Sequence, residues 1–153
     1  MNLRSWELRV SPLAGVTFNE QTISYIGFFQ RITGSRVKDC IDTDDKIVFV
    51  VEPGFIGKAV GKKGETVSKL RRMLKKNLLI VEYSDDPKLF IANIFHQFKV
   101  EGVKMEDRPG GTHATVKVDP SLKGKAIGRE GANLKLARQI VRRHHPIESI
   151  SVD

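Results

Sequence analysis

The sequence predicts an α+β protein built from two copies of one supersecondary unit. The first observation is a repeat, because residues 47–71 superimpose without a gap on residues 114–138 under a shift of 67 residues. The second is the order of patterns in each copy, where β-branched runs alternate with amphipathic helical segments. The third is the positive charge, which lies on matching parts of both copies.

Composition limits the class of protein. The 153 residues include 40% apolar and 29% charged residues, which is enough for two modest cores and is not typical of a disordered chain. The one cysteine, Cys40, excludes an intrachain disulfide and a cysteine-rich zinc site. The charged residues between Met1 and Glu20 do not fit a signal peptide, and no apolar run has the length of a membrane span. We therefore expect a cytoplasmic protein without a membrane partner.

The repeat predicts an N-terminal extension at residues 1–16, a first domain at 17–84 and a second domain at 85–153. In the extension, apolar and charged residues alternate at positions 6–10, which fits a short strand or equally a mobile tail. The repeat covers both whole domains, and few residues separate them.

The first unit has the pattern helix, strand, strand, short helix, glycine loop, helix, strand. A capping box starting at Thr17 opens a helix that ends near Gly34. Strands are predicted at 37–41 and 47–51, followed by a short helix at 54–60. A longer helix after Gly64 has its expected buried stripe at Val67, Leu70 and Leu74, and the last strand is predicted at 78–83. Because residues 47–51 are apolar at every position, that strand is expected to be central.

The second unit repeats this order. Asp86 is the predicted cap of a helix whose first residue is Pro87. A short strand at 103–105, a turn at 109–111 and a strand at 114–118 precede the second glycine loop. The following helix has its expected buried stripe at Leu134, Ala137 and Val141, and the last strand is expected at 147–152.

Positive charge is concentrated around the glycine loops and the helices that follow them. Residues 57–76 carry a net charge of +7 and residues 123–143 carry +6, which leaves −5 on the rest of a chain whose net charge is +8. A solvated helix face is the simpler interpretation of one such segment. Because the charge recurs at matching places beside a glycine loop, we favour a surface that binds a polyanion.

Each loop has the spacing Gly-x-x-Gly, at Gly61 and Gly64 and again at Gly128 and Gly131. A glycine that ends one helix can adopt positive φ, and a glycine that begins the next allows a phosphate to approach the backbone. The free amides of the second helix then face the anion. A purely structural role, in which these glycines only form a tight corner, is the alternative.

The two loops and their flanking residues resemble the signature of KH domains. The matching residues are Val60-Gly61-Lys62-Lys63-Gly64-x-x-Val67 and Ile127-Gly128-Arg129-Glu130-Gly131-x-x-Leu134. The helix and strand before each core resemble the type II, prokaryotic arrangement. This resemblance implies two tandem type II KH domains, each a three-stranded mixed sheet with helices packed on one face.

Over residues 17–153 the chain also resembles the NusA family of transcription factors in its short archaeal form. The residues that carry this resemblance are Ile32-Thr33-Gly34, Val37-Lys38-Asp39-Cys40-Ile41 and Val81-Glu82-Tyr83-Ser84-Asp85-Asp86-Pro87. It implies a factor that holds nascent single-stranded RNA and modulates pausing and transcription termination or antitermination. RNA polymerase or other transcription factors are candidate partners. A KH protein of ribosome assembly or RNA processing is the alternative function.

The resemblance also implies the roles of individual residues. KH loops clamp the backbone of about four nucleotides, which assigns Gly61, Lys62, Lys63, Gly64, Gly128, Arg129, Glu130 and Gly131 to phosphates. It assigns Val60, Val67, Ile127 and Leu134 to the bases, with Lys58, Lys69, Lys125 and Lys135 as further backbone contacts. Glu130 departs from an all-basic tip, so we expect weaker phosphate attraction at the second loop.

An enzyme is the third class considered, and the sequence does not favour it. A nucleotide hydrolase would need Gly-x-x-x-x-Gly-Lys followed by Ser or Thr, and neither loop has that spacing or the hydroxyl. No pair of nucleophile and base stands out. The pair His144 and His145 is more typical of a helix end than of a metal site. We expect no cofactor and no metal.

Overall fold

A computed structural model of the chain describes residues 19–153. The extension at 1–16, with its expected strand or tail at 6–10, lies outside the described residues, as does Thr17. The chain divides after Ser84 into two compact units. Each is described separately below.

The first helix, α1 (Glu20–Thr33), begins two residues later than the sequence predicted. Asn19 rather than Thr17 is its N-cap, because Asn19 Oδ1 accepts a hydrogen bond from the Thr22 amide at 2.9 Å. Thr22 Oγ1 in turn accepts one from the Asn19 amide at 3.0 Å, which completes a capping box. Gly34, with φ of 69°, ends the helix as predicted.

The first sheet has three strands in the order β1 (Val37–Asp42), β2 (Lys46–Val51) and β3 (Asn77–Glu82). Strands β1 and β2 are antiparallel, whereas β2 and β3 are parallel, so the sheet is mixed as predicted. Two helices connect β2 to β3, namely α2 (Ile56–Val60) and α3 (Glu65–Leu74). A parallel pair requires such a crossover.

The first core lies between α1, α2, α3 and one face of this sheet. Phe29 of α1 stacks on Phe49 of β2 with ring centroids 4.1 Å apart, and Leu70 of α3 is fully buried in the same cluster. Val48 and Val50, on the opposite face of β2, are also fully buried. The prediction that this strand is central and buried on both faces is confirmed.

The second unit has the same order of elements. They are α4 (Pro87–Ile94), β4 (Val100–Arg108), β5 (Gly111–Val118), α5 (Lys123–Ile127), α6 (Ala132–Arg142) and β6 (Ser149–Val152). The sheet order is β4-β5-β6, with β4 antiparallel and β6 parallel to β5. Asp86 caps α4 through the Lys88 amide at 3.0 Å, and Pro87 is its first residue, as predicted. The α+β class with two three-stranded mixed sheets is thus confirmed.

The hairpin of the second unit is longer than predicted. The sequence indicated a strand only at 103–105, but β4 has nine residues and continues to a turn at Pro109 and Gly110. Val100 pairs with Val118 in the second hairpin, and Val37 pairs with Val51 in the first. The second hairpin has four more residues between these partners than the first. Exposed charged residues fill the extra length, so there was no apolar alternation to detect.

Helix α6 buries a somewhat different stripe from the one expected. Ala137 and Val141 are buried as predicted, and Ile140 is fully buried beside them. Leu134 is only half-buried, which leaves part of its side chain accessible next to the second loop. Within residues 19–153, none of the helices combines the length and the apolar character that a bilayer span requires.

Candidate nucleic-acid interface

The two glycine loops have the same backbone conformation. Gly61 ends α2 with φ 80° and ψ 168°, and Gly128 ends α5 with φ 81° and ψ 168°. The third residues, Lys63 (φ 54°, ψ 27°) and Glu130 (φ 56°, ψ 26°), both adopt left-handed conformations. Gly64 and Gly131 continue in that region as the N-caps of α3 and α6. Each loop therefore has three residues with positive φ, the first glycine and the last two loop residues.

The first glycine of each loop is required by close packing as well as by its positive φ. A Cβ on Gly61 would overlap Thr66 Oγ1 and would lie 2.8 Å from the Thr66 nitrogen. A Cβ on Gly128 would lie 2.7 Å from the Asn133 nitrogen. Each first glycine therefore lets the loop pack directly on the second residue of the following helix.

The second glycine of each loop has space for a side chain. The nearest atom to a Cβ on Gly64 would be Val67 Cγ1 at 3.8 Å, and on Gly131 it would be Lys135 Cε at 4.0 Å. The positive φ alone favours glycine here. As N-caps, these glycines carry no side-chain acceptor, and no side chain caps either helix. No side chain therefore blocks the positive end of either helix dipole, although the first amides, those of Glu65 and Ala132, donate to the Lys62 and Arg129 carbonyls.

The side chains around the loops divide into exposed cations and half-buried apolar groups. Lys62, Lys63 and Arg129 are exposed at the tips, together with Glu130. The four lysines that the sequence analysis selected outside the tips are also exposed, namely Lys58, Lys69, Lys125 and Lys135. The apolar residues Val60, Val67, Ile127 and Leu134 are all half-buried, so each has some surface left for a ligand. The residues selected from the sequence therefore lie on the loop or on the helices that flank it.

Two of these lysines have defined neighbours. The Lys58 ammonium lies over the ring of Phe55 at 5.7 Å from its centroid, which is a cation–π contact. The Lys135 side chain lies along Gly131, as the 4.0 Å distance to its Cε shows. Lys69 projects from the exposed face of α3. The two units thus present their cations differently.

Sequence reasoning missed a hydrogen bond that braces the second loop. Asn133 Nδ2 donates to the backbone carbonyl of Ala126 at 2.8 Å, which ties the first turn of α6 to the last turn of α5. Thr66 occupies the matching position in the first unit, and in the described part of the chain its side chain makes no corresponding bond. The repeat alignment pairs Thr66 with Asn133, but only the fold shows that the longer amide reaches the carbonyl.

Lys76 belongs to the first basic segment and lies two residues beyond the end of α3, where its side chain is already paired. Its Nζ donates to Asp42 Oδ1 at 2.6 Å and to the Thr43 carbonyl at 2.8 Å. The hydrogen bond to Asp42 raises the pKa of Lys76 above its usual value. Lys75, in the left-handed region, has already ended the helix, so Lys76 turns toward the β1–β2 connection. It acts as a structural tie between the end of α3 and the β1–β2 connection.

A cleft of about 340 Å³ lies beside this tie. Its lining residues are Asp44, Asp45, Arg71, Lys75, Lys76 and Asn77. Because both signs of charge line the cleft, it does not favour a polyanion. Among the described residues, no group of three or more histidine, cysteine or carboxylate side chains is placed to hold a metal.

Comparison with known proteins identifies the family. Residues 87–152, which include the second loop, match the family model described as the NusA-like second KH domain. The probable transcription termination protein NusA of Methanocaldococcus jannaschii is 34% identical over 140 residues, covering 92% of this chain and 76% of that protein. The chain belongs to the NusA family.

Other members of the NusA family and a solved structure agree with this assignment. The protein of the same name from Thermoplasma acidophilum is 32% identical over 137 residues, covering 90% of this chain and 95% of that protein. The crystal structure of APE1850 superimposes with a TM-score of 0.71 at 32% identity, and the match covers 89% of this chain and 100% of that one. The resemblance inferred from the sequence is therefore confirmed at the level of the NusA family.

Proposed function

We propose that the protein is a transcription factor of the NusA type that binds single-stranded RNA through its two glycine loops. The observation that carries the proposal is that both loops share one backbone conformation and lead into helices whose first turns have no side-chain cap. Both loops lie in the most basic segments of the chain. The relatives named as probable transcription termination proteins support this function.

We further propose that each unit is a type II KH domain, the first at residues 17–84 and the second at 85–153. In each unit a helix and a strand precede the central strand, the loop and the last helix, which is the order that the type II arrangement requires. This assignment explains why one chain has two sheets of the same topology.

In the proposed complex, phosphates approach the loop backbone at Gly61–Gly64 and Gly128–Gly131, where the helix dipoles favour negative charge. The half-buried side chains of Val60, Val67, Ile127 and Leu134 lie beside the bases. Lys58, Lys69, Lys125 and Lys135 contribute further backbone contacts. Such a clamp holds unstacked nucleotides, which suits a nascent transcript better than a duplex.

The protein acts in this proposal by binding rather than by catalysis. Holding the transcript in the cytoplasm would modulate pausing and the choice between termination and antitermination. RNA polymerase or another transcription factor is the protein partner that such a role requires, and no cofactor takes part.

Fluorescence anisotropy with labelled single-stranded RNA tests the proposal, with double-stranded DNA as the comparison ligand. We expect RNA binding that weakens with salt at a log–log slope of about −0.7 for each phosphate neutralised. The double variant Lys62→Asp with Lys63→Asp should lose more affinity than Arg129→Asp, because it reverses two charges on an all-basic tip. RNA should be preferred to the duplex by both the wild type and Arg129→Asp.

The matched control is Arg31→Asp with Arg36→Asp, which reverses two exposed charges of the first unit outside the loop. It should bind RNA much as the wild type does. If both loop variants remain folded by circular dichroism and bind like the wild type, the loops are structural corners and the proposal is wrong.

A further inference from the structure

The two loops carry their charges in different places although their backbones coincide. Lys63 and Glu130 have φ and ψ angles that agree within 2°, so their side chains leave the two loops in the same direction. The first tip therefore presents two cations, Lys62 and Lys63, where the second presents Arg129 beside a carboxylate. A phosphate approaching the second tip from the side of Glu130 is repelled.

The second unit places a different cation beside its loop. Lys135 projects from the first turn of α6, and its Cε lies 4.0 Å from where a Cβ on Gly131 would be. The ammonium is one bond beyond that carbon. Under the shift of 67 residues the matching residue in the first unit is Ser68, which carries no charge. There, the atom nearest to the second glycine is the apolar Val67 Cγ1.

Lys135 is free to bind a ligand where it stands. Its side chain is exposed, and within residues 19–153 it forms no ion pair with any carboxylate, including that of Glu130. The nearby amide of Asn133 is committed to the Ala126 carbonyl, so the first turn that carries Lys135 is held against α5. A lysine ammonium offers three donors on a compact charge, which suits a single phosphate oxygen contact.

We propose that Lys135 is the principal phosphate-binding cation of the second loop and that Glu130 prevents a second phosphate from binding at the tip. This inference rests on the proposed RNA-binding function and goes beyond it by making the two units unequal. The first loop takes phosphates at its tip through Lys62 and Lys63. The second takes one phosphate from the side of the helix, at the second glycine.

The test measures the salt dependence of single-stranded RNA binding by the full chain with Lys135→Met. Methionine keeps the unbranched stem that lies over Gly131 and removes the charge, so packing is preserved. The log–log salt slope should become shallower by about 0.7, the value for one phosphate contact on a single strand. Arg138→Met is the matched control, since it removes an exposed charge one turn further along the same helix. Its slope should change clearly less.

A second pair of variants tests the proposed role of each position. Glu130→Lys should make the slope steeper, because the second tip then carries the same charge as the first. Ser68→Lys, introduced with Lys62→Ala and Lys63→Ala, should restore part of the salt dependence that the two alanines remove. Recovery of the salt dependence would show that a lysine at the helix position can replace the two lysines at the tip.

The outcomes separate the two proposals. If the wild-type chain does not bind single-stranded RNA, the proposed function itself is wrong. If the wild type binds but Lys135→Met and Arg138→Met change the slope equally, or neither changes it, the inference about Lys135 is overturned and the proposed function stands. The inference is also overturned if Glu130→Lys leaves the slope unchanged.

Discussion

At the scale of single residues, the Gly-x-x-Gly pattern combines two different requirements. Gly61 has no room for a Cβ, because the backbone nitrogen of Thr66 would lie 2.8 Å from it. Gly64 has room, and its left-handed φ of 73° is the one feature that favours glycine there. The first glycine thus sets the packing of loop on helix, whereas the second keeps the helix N-terminus open.

This difference predicts unequal costs for alanine at the two positions. Gly64→Ala should lower the free energy of unfolding by about 1 kcal/mol, the usual penalty of the left-handed region. Gly61→Ala should cost clearly more, since rotation of the Thr66 side chain cannot relieve an overlap with backbone. Urea unfolding of both variants measures the difference. Equal losses of unfolding free energy in the two variants would contradict the difference in packing at Gly61 and Gly64.

The Asn133 brace gives a second prediction at this scale. Asn133→Ala should lower the free energy of unfolding by about 1 kcal/mol, because the carbonyl of the buried Ala126 loses its donor. Asn133→Asp should lose a similar amount, since an ionised carboxylate cannot donate. Thr66→Ala in the first unit is the comparison, and it should cost less because no such bond is lost. A larger loss for Thr66→Ala would refute the assigned role.

At the scale of elements, the stability of each unit depends on the contacts between its crossover helices and its sheet. In the first unit, Lys76 ties the end of α3 to the β1–β2 turn through Asp42 and Thr43. In the second unit the hairpin is longer, and only residues 113–116 of β5 pair with strands on both sides. The same topology therefore tolerates a different hairpin length at the end away from the glycine loop.

The tie predicts a pH dependence of stability with a definite sign. The folded-state pKa of Lys76 is raised by Asp42, so its contribution is fully present below the pKa of an unfolded lysine. It is lost as the pH rises through the higher folded pKa. Lys76→Met should be less stable than the wild type at pH 7 by at most about 1 kcal/mol, because the pair is partly exposed.

Denaturant unfolding from pH 7 into the alkaline range checks this expectation. The difference in stability between wild type and Lys76→Met should shrink as the pH passes about 10.4, the ordinary value for lysine. Lys88→Met, at an exposed position of α4, serves as the control for general effects of losing a lysine. A difference that grows with pH would show that the tie has been misassigned.

At the scale of the whole molecule, duplication is the organising feature. Two units with the same element order each present a basic loop and helix, while the remaining residues carry a net charge of −5. This separation keeps the positive potential on the proposed RNA-binding segments. The duplicated loops have also diverged, because Lys63 and Ser68 in one unit correspond to Glu130 and Lys135 in the other.

The sequence by itself determined the repeat, the α+β class, the order of elements and the positions of both loops. These follow from local properties, namely the period of apolar residues, helix caps such as Asp86, and glycines at helix ends. The family resemblance also came from short contiguous motifs. Such features are readable because each depends on neighbours along the chain.

Only the tertiary structure decided which residues contact each other across different elements. The choice of Asn19 over Thr17 as a cap, the length of the β4–β5 hairpin and the tie made by Lys76 depend on partners that the local pattern does not identify. The position of Lys135 over Gly131 belongs to the same class. A hydrogen bond or a close approach between two elements is set by their packing, and packing is a property of the folded chain as a whole.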